Sequence, residues 1–231
     1  MARAEAAARG DAIAYHETLA AGWSGRYASG GFKRRADFFA QHVLPRLAPT
    51  GDWLDVGCGS GVFSRLLAGA GARVLGLDGS PAMVEAARVA GGAGVRFEVG
   101  RAEEVGALRE RFDGAVCLSV LEYLERPDAA LAAIAGRLKR GGRLAVSLPN
   151  RGSTLRLAQR LLRPAFAAAG RDPFAYLDSS RHLWAKREIG GFASRAGLEP
   201  EAILGFDPVA PRWAWPAISP SLWFVVARRR G

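Results

Sequence analysis

Two acids and a run of glycines are the residues of this chain whose types and spacing could do chemistry. Asp55 lies in the apolar run Trp53, Leu54, Val56, and the chain then passes through Gly57, Gly59 and Gly61. Glycines let a backbone turn tightly and approach a ligand closely, and a carboxylate can hold hydroxyls or amines beside them. Asp78 ends a second apolar run, Arg73 to Leu77. It stands near the offset of about 20 residues at which an acid reaches the ribose of a nucleotide held on a glycine loop. Strand, glycine loop and helix, with an acid closing the next strand, make a nucleotide-binding start to a doubly wound α/β domain.

The elements that must position these groups follow from periodicity. Val62, Phe63, Leu66 and Leu67 recur at helical spacing, so the loop opens onto a helix N-terminus. The glycines read G-x-G-x-G, with Val62 where a dinucleotide fingerprint wants its last glycine, and no GK[ST] follows to make a phosphate-cradling loop. Ser80 is placed to cap the next helix and Pro81 to occupy its first turn.

Asp55 to Gly61 resembles motif I of the class I S-adenosylmethionine (SAM) methyltransferases, D-x-G-x-G-x-G, and Asp78 to Met83 resembles their D-x-S-x-x-M segment. The resemblance implies SAM as cofactor, with Asp55, Gly57, Gly59, Asp78, Gly79 and Met83 at its site. Family members often carry an acid where this chain has Arg101. Ala102, through its backbone, and Glu103 are the alternatives for adenine. Leu118 and Ser119 close the site at the end of the fourth strand.

The implied fold is an α/β, Rossmann-like seven-stranded sheet with helices on both faces, an antiparallel last strand, an N-terminal helical cover and an insertion after strand 5. Strands are expected over 53–56, 73–77, 95–99, 112–118, 143–148, 202–206 and 222–227, and the last two helices of the core over 127–139 and 188–196. One domain spans 1–231: cover 1–47, SAM-binding core 48–150, insertion 151–185 and completion of the sheet 186–231. The length suits that reading.

The cover carries Tyr15, His16, Leu19, Trp23 and Tyr27, then an amphipathic run from Phe32 to Leu47 that Pro45 ends or kinks. This pattern is similar to that of quinone-biosynthetic and magnesium-protoporphyrin O-methyltransferases. The likeness implies Tyr27 over the cofactor and Arg34 or Arg35 on its methionyl carboxylate, with Arg35 preferred.

Ser119 to Tyr123 (SVLEY) stands where the quinone-type enzymes carry E-x-x-E-H, a motif able to hold a divalent metal. Only Glu122 remains of its ligands, and one carboxylate is a poor magnesium site, so no metal is expected. A [DN]-P-P-[YF] motif is also absent, which points away from methylation of a base or glutamine nitrogen. His182, Tyr123 and Glu122 are the candidates for a catalytic base, with His16 behind them.

In the insertion, Leu155, Ala158, Leu161 and Leu162 share one helical face and Arg156, Arg160 and Arg163 another. Such a helix could lie on a membrane. A lid is favoured over peripheral membrane contact, and with Phe174, Tyr176 and Trp184 the segment reads as the cap over a small-molecule methyl acceptor. The Pro- and Trp-rich stretch with Trp213 and Trp215 is expected to rim that pocket.

The formal charge of +10 and pI near 10.7 would suit an anionic partner, but the excess is almost all Arg in an Ala- and Gly-rich chain, as biased codon usage also gives. The leading reading is methylation of a small molecule, at oxygen, with a nucleic-acid partner disfavoured. An RNA or protein methyltransferase and a non-catalytic SAM-binding subunit are the rivals, and oligomeric state stays open. Two cysteines in unrelated contexts, no 18-residue apolar run and an N-terminus without a signal-peptide core point to the cytoplasm.

Overall fold

The computed structural model describes residues 13, 17, 20, 22–168, 170, 180–210 and 218–231. Tyr15, His16, Leu19, Phe174, Tyr176, Trp213 and Trp215 lie outside them. Seven strands form one sheet: β1 Gly51–Val56, β2 Ala72–Asp78, β3 Val95–Val99, β4 Phe112–Leu118, β5 Leu138–Pro149, β6 Leu198–Phe206 and β7 Leu222–Arg229. Their order is β3-β2-β1-β4-β5-β7-β6. β1 to β5 pair in parallel and β7 runs antiparallel between β5 and β6.

Helices α1 Gly30–Phe38, α2 Leu44–Leu47, α3 Val62–Gly69, α4 Pro81–Ala90, α5 Pro127–Arg137, α6 Thr154–Ala168 and α7 Lys186–Arg195 surround or extend this sheet. Strand period two divides the core between its faces. Trp223, Val225 and Ala227 of β7 pack on one face with Ile134 of α5 and Ile189 of α7. Phe224 and Val226 pack on the other with Phe39, Val43 and Leu67. Helices therefore cover both faces.

Pro45 does not end the cover helix. Phe39–Val43 widens into a π-helical turn, the Leu44 amide reaches back to the Phe39 carbonyl, and helix resumes to Leu47. A proline ring clashes with the carbonyl four residues back and brings no amide of its own; the wider turn accommodates both.

The boundary between α5 and β5 also differs from expectation. The helix stops at Arg137 and the strand begins at Leu138. Leu138 is fully buried opposite Phe112, and Lys139 Nζ bridges Asp113 at 2.8 Å, so tertiary contacts recruit residues whose pattern read as helix. β6 likewise starts at Leu198, earlier than its apolar run, because Leu198 pairs with Arg229 of an extended β7. Within 151–185 the described residues include no strand, only the bridge from Asn150 to Trp184.

Strand order reverses between β1 and β4. Open α/β sheets bind ligands outside the carboxyl ends of the strands at such a switch. The glycine loop after β1 and Ser119 after β4 both lie there.

Candidate cofactor and active site

The loop after β1 is built by backbone bonds that glycine makes available. Gly57, Gly59 and Gly61 have φ of 72°, 52° and 76°. The Gly57 and Cys58 amides donate to the Leu77 carbonyl at 2.7 and 2.9 Å, tying the loop to β2. A Cβ on Gly57 would overlap Val120, and one on Gly59 would come within 3.3 Å of Trp23 Nε1.

Asp78 closes the next strand as a bridge. One carboxylate oxygen accepts the Gly59 amide at 2.8 Å and the other the Ser80 amide at 2.9 Å. Ser80 Oγ accepts the Met83 amide at 3.1 Å, capping α4, and itself donates to Glu17.

Above the loop lies a cavity of about 680 Å³. Tyr27, Arg35, Gly57, Gly59, Asp78 and Gly79 line it, as do Met83, Ala102, Glu103, Leu118, Ser119 and Tyr123. Tyr27 is held edge-on between Phe32 and Phe63, with ring centroids 5.3 and 6.0 Å away, and burial pushes its hydroxyl pKa up against the lowering effect of Arg35. Arg35 lies over the Phe63 and Phe224 rings and donates from Nη2 to Ser147 Oγ at 3.0 Å. Arg34 points elsewhere: its guanidinium binds the Pro208 and Val209 carbonyls.

Three of the expected site residues do not line this cavity. Asp55 is 2% exposed beneath the loop and accepts Ser64 Oγ at 2.6 Å. Burial pushes its carboxyl up to about 7, the Ser64 bond lowers it and the charge of Asp78 raises it. Asp55 thus ties the end of β1 to the first turn of α3. His182 lines a second cavity of about 660 Å³ with Trp184 and Phe192, and its Nε2 lies 2.9 Å from the Leu124 carbonyl. Since a carbonyl only accepts, that nitrogen carries the proton.

Glu122, the third, is 3% exposed. Burial pushes its carboxyl up to about 7, against the lowering effects of its own amide, Arg35, Arg156 and the Ser119 hydroxyl. Among the described residues no three His, Cys, Asp or Glu side chains gather as metal ligands would.

Comparison with known proteins agrees with this geometry. The model of the family described as "Methyltransferase domain" matches residues 54–146. A ubiquinone biosynthesis O-methyltransferase of Cereibacter sphaeroides (strain KD131) is 31% identical over 187 residues, 77% of this chain and 72% of that protein. One of Xanthomonas axonopodis pv. citri is 38% identical over 116 residues, about half of each chain at 48%. Among solved structures, magnesium protoporphyrin IX methyltransferase from Synechocystis PCC 6803 with bound SAH superposes with a TM-score of 0.64 at 22% identity, over 90% of this chain and 92% of that one. A SAM-dependent methyltransferase of Mesorhizobium loti gives 0.61 at 24%, over 84% and 100%.

The chain belongs to the class I SAM-dependent methyltransferases. Its cofactor is SAM, and the cavity suits that molecule: the loop leaves no room for side chains, Asp78 and Glu103 face the space from β2 and from the turn after β3, and aromatic rings roof it.

Several lining residues of this methyltransferase had no sequence signal. Ile13, Phe32, Phe63 and Val120 are apolar residues indistinguishable from core by pattern. Leu124, Glu125, Arg126 and Arg181 reach the cavity because the Arg181 and His182 amides donate to the Glu122 carbonyl at 2.8 and 3.2 Å, folding the returning chain against the turn after β4. The described part of the chain has no helix long and apolar enough to cross a membrane.

Proposed function

We propose that this methyltransferase moves the methyl group of SAM to a hydroxyl oxygen of a small, largely apolar aromatic acceptor of the quinone-precursor kind. The observation that carries the reading is the continuity of the cavity. It runs from the glycine loop past Ser119 to Tyr123, Arg126 and Arg181, leaving a wall beyond the cofactor residues for a second molecule. The likeness over 187 residues to a ubiquinone biosynthesis O-methyltransferase supports the choice of oxygen and of acceptor class.

When bound, SAM supplies a methyl group already activated on a sulfonium, so the protein need mainly hold the acceptor in line and keep water away. In this reading Asp78 holds the ribose hydroxyls, the backbone at Ala102 and the Glu103 carboxylate hold the adenine, and Arg35 holds the methionyl carboxylate. Gly57, Gly59 and Gly79 let the ligand approach the backbone, while Met83, Leu118 and Tyr27 enclose it. Ser119 and Tyr123 face the transferring end. Tyr123 orients the acceptor hydroxyl, and Glu125, on the same wall with an exposed side chain, takes its proton. The acceptor oxygen forms its bond to the methyl carbon as the carbon–sulfur bond breaks, leaving S-adenosylhomocysteine (SAH).

His182 and Glu122 move from acid–base work to support. Residues 151–185 form the acceptor cap of a single domain. The enzyme works in the cytoplasm, in keeping with two buried free cysteines. Among the described residues, Arg73, Arg96, Arg151 and Arg195 pair with acids at Asp52, Glu110, Glu188 and Asp128.

The test is incubation of the protein with methyl-deuterated SAM and a panel of dihydroxylated aromatic acids and phenols, followed by mass analysis. Formation of SAH together with a deuteromethyl ether is expected. Label found instead in an RNA or protein fraction, with none in any phenol, would overturn the reading.

A further inference from the structure

A second cavity, of about 660 Å³, opens beside the cofactor site, between the start of α5, the chain returning through His182 to Trp184, and α7. Glu125 and Arg126 line both cavities. The two spaces therefore meet at the turn after β4, next to Tyr123, on the wall left for the acceptor.

The chemistry of the second cavity differs from that of the first. Trp184 and Phe192, both buried and with ring centroids 5.3 Å apart, give it an aromatic floor. Its acids are already committed to arginines: Glu188 bridges Arg151 at 2.8 Å, Asp128 bridges Arg195 at 2.9 Å, and Glu125 lies 3.7 Å from Arg181 on the side of the first cavity. Two more arginines face the same space, Arg126 from the N-cap of α5 and Arg187 from the first turn of α7. Their guanidinium groups make no ion pair or hydrogen bond among the described residues, and they leave the cavity with an excess of positive charge over an apolar floor. An anion carried on an apolar body satisfies both halves, because a guanidinium fork takes a carboxylate through parallel bonds while the rings take the body.

We propose that this second cavity is an extension of the acceptor site and seats a carboxylate of the acceptor on Arg126 and Arg187. The proposal rests on the reading given above of the acceptor as a phenol on the Tyr123 wall, and adds that the molecule is an acid whose carboxylate reaches past the turn after β4. Arg126 stands where the cavities join. Arg187 lines only the second, away from the cofactor and the reacting oxygen, so its part is to select the acceptor and not to take part in the transfer.

Titration of the SAH-loaded full chain with dihydrocaffeate, a catechol bearing a propanoate, and with its uncharged amide tests this, because SAH fills the cofactor site and has no methyl to move. The acid should bind about tenfold more tightly than the amide, equal to about 1.4 kcal/mol. Arg187→Gln should shrink that preference to about twofold or less, while Arg187→Lys, which keeps the charge, should retain most of it. Arg187 is exposed, so the fold does not depend on it, and Arg126→Gln gives a second measurement at the join. Equal binding of acid and amide, or a preference unchanged in both Arg187→Gln and Arg126→Gln, would overturn the proposal. Inorganic phosphate should compete with the acid and not with the amide; phosphate that binds without displacing the acid would show an anion site independent of the acceptor and overturn it too. Binding of neither catechol to a chain that does bind SAH would instead overturn the acceptor reading on which the proposal rests.

Discussion

Replacing Asp78 with asparagine should weaken cofactor binding and loosen the glycine loop together. The carboxylate accepts two backbone amides, from Gly59 and Ser80, at 2.8 and 2.9 Å. Asparagine keeps the shape but offers one oxygen and one N–H₂ group, so one of those amides must face another donor. Losing a hydrogen bond to a charged group costs about 1.5 to 3 kcal/mol. If the ribose hydroxyls bond the same carboxylate, a loss of that size is roughly a 10- to 150-fold rise in the Kd for SAH. Loss of an amide partner should also lower Tm, by roughly 2 to 4 °C per kcal/mol in a chain of this size. Titration calorimetry with SAH and a thermal melt without ligand separate the two effects. A Kd within about threefold of wild type would refute the ribose assignment. An unchanged Tm would refute the claim that Asp78 pins the loop.

Three further predictions use other sites. Asp55 and Glu122 have folded-state pKa near 7 and would titrate near 4 when unfolded, so the folded state holds more protons between those values and stability falls as pH rises through that window. From pH 6 to pH 8 each should remove about 1.4 kcal/mol; Asp55→Asn and Glu122→Gln should each flatten the fall in Tm, and a wild-type Tm that rises over that range would sink the idea. His182→Ala, which removes a donor to the Leu124 carbonyl, should cost about 1 kcal/mol in a denaturant melt while the SAH affinity stays within about twofold; a large loss of affinity would return His182 to the active site. Chelation with EDTA should leave turnover intact, because Glu122 is buried away from the cavity and Ser119 and Tyr123 stand where a metal motif would have its other ligands; restoration of lost activity by magnesium would show a metal site after all.

The sheet was legible because its signals are local. Alternation in β7, the glycines at positive φ and the Ser80 cap each depend on a few adjacent residues. Boundaries set by distant partners were not. Leu138 reads as the last turn of α5 until Phe112 is known to lie opposite, and Pro45 reads as a stop until the π turn at Phe39–Val43 absorbs it. Eleven of the twelve residues expected around the cofactor line one cavity: most follow strand ends, which the fold brings together, while Tyr27 and Arg35 come from the N-terminal cover. Asp55 is the exception: on β1 its neighbour in sequence, Val56, and its own side chain must take opposite faces, and its side chain takes the one that meets Ser64 of α3.

The acid–base residues were the hardest to read, and the reason is physical. Cofactor groups are fixed by strand register, whereas an acceptor-side group is placed by whichever backbone atoms its loop finds. His182 is drawn to the Leu124 carbonyl and Glu122 is buried outside the cavity, although residue type alone favours both as bases. Tyr123, adjacent to Glu122 in a single 3₁₀ turn, points into the cavity instead. Neighbouring residues in so tight a turn project in different directions. Tyr123 can therefore line the cavity while Glu122, next to it in the chain, is buried outside it.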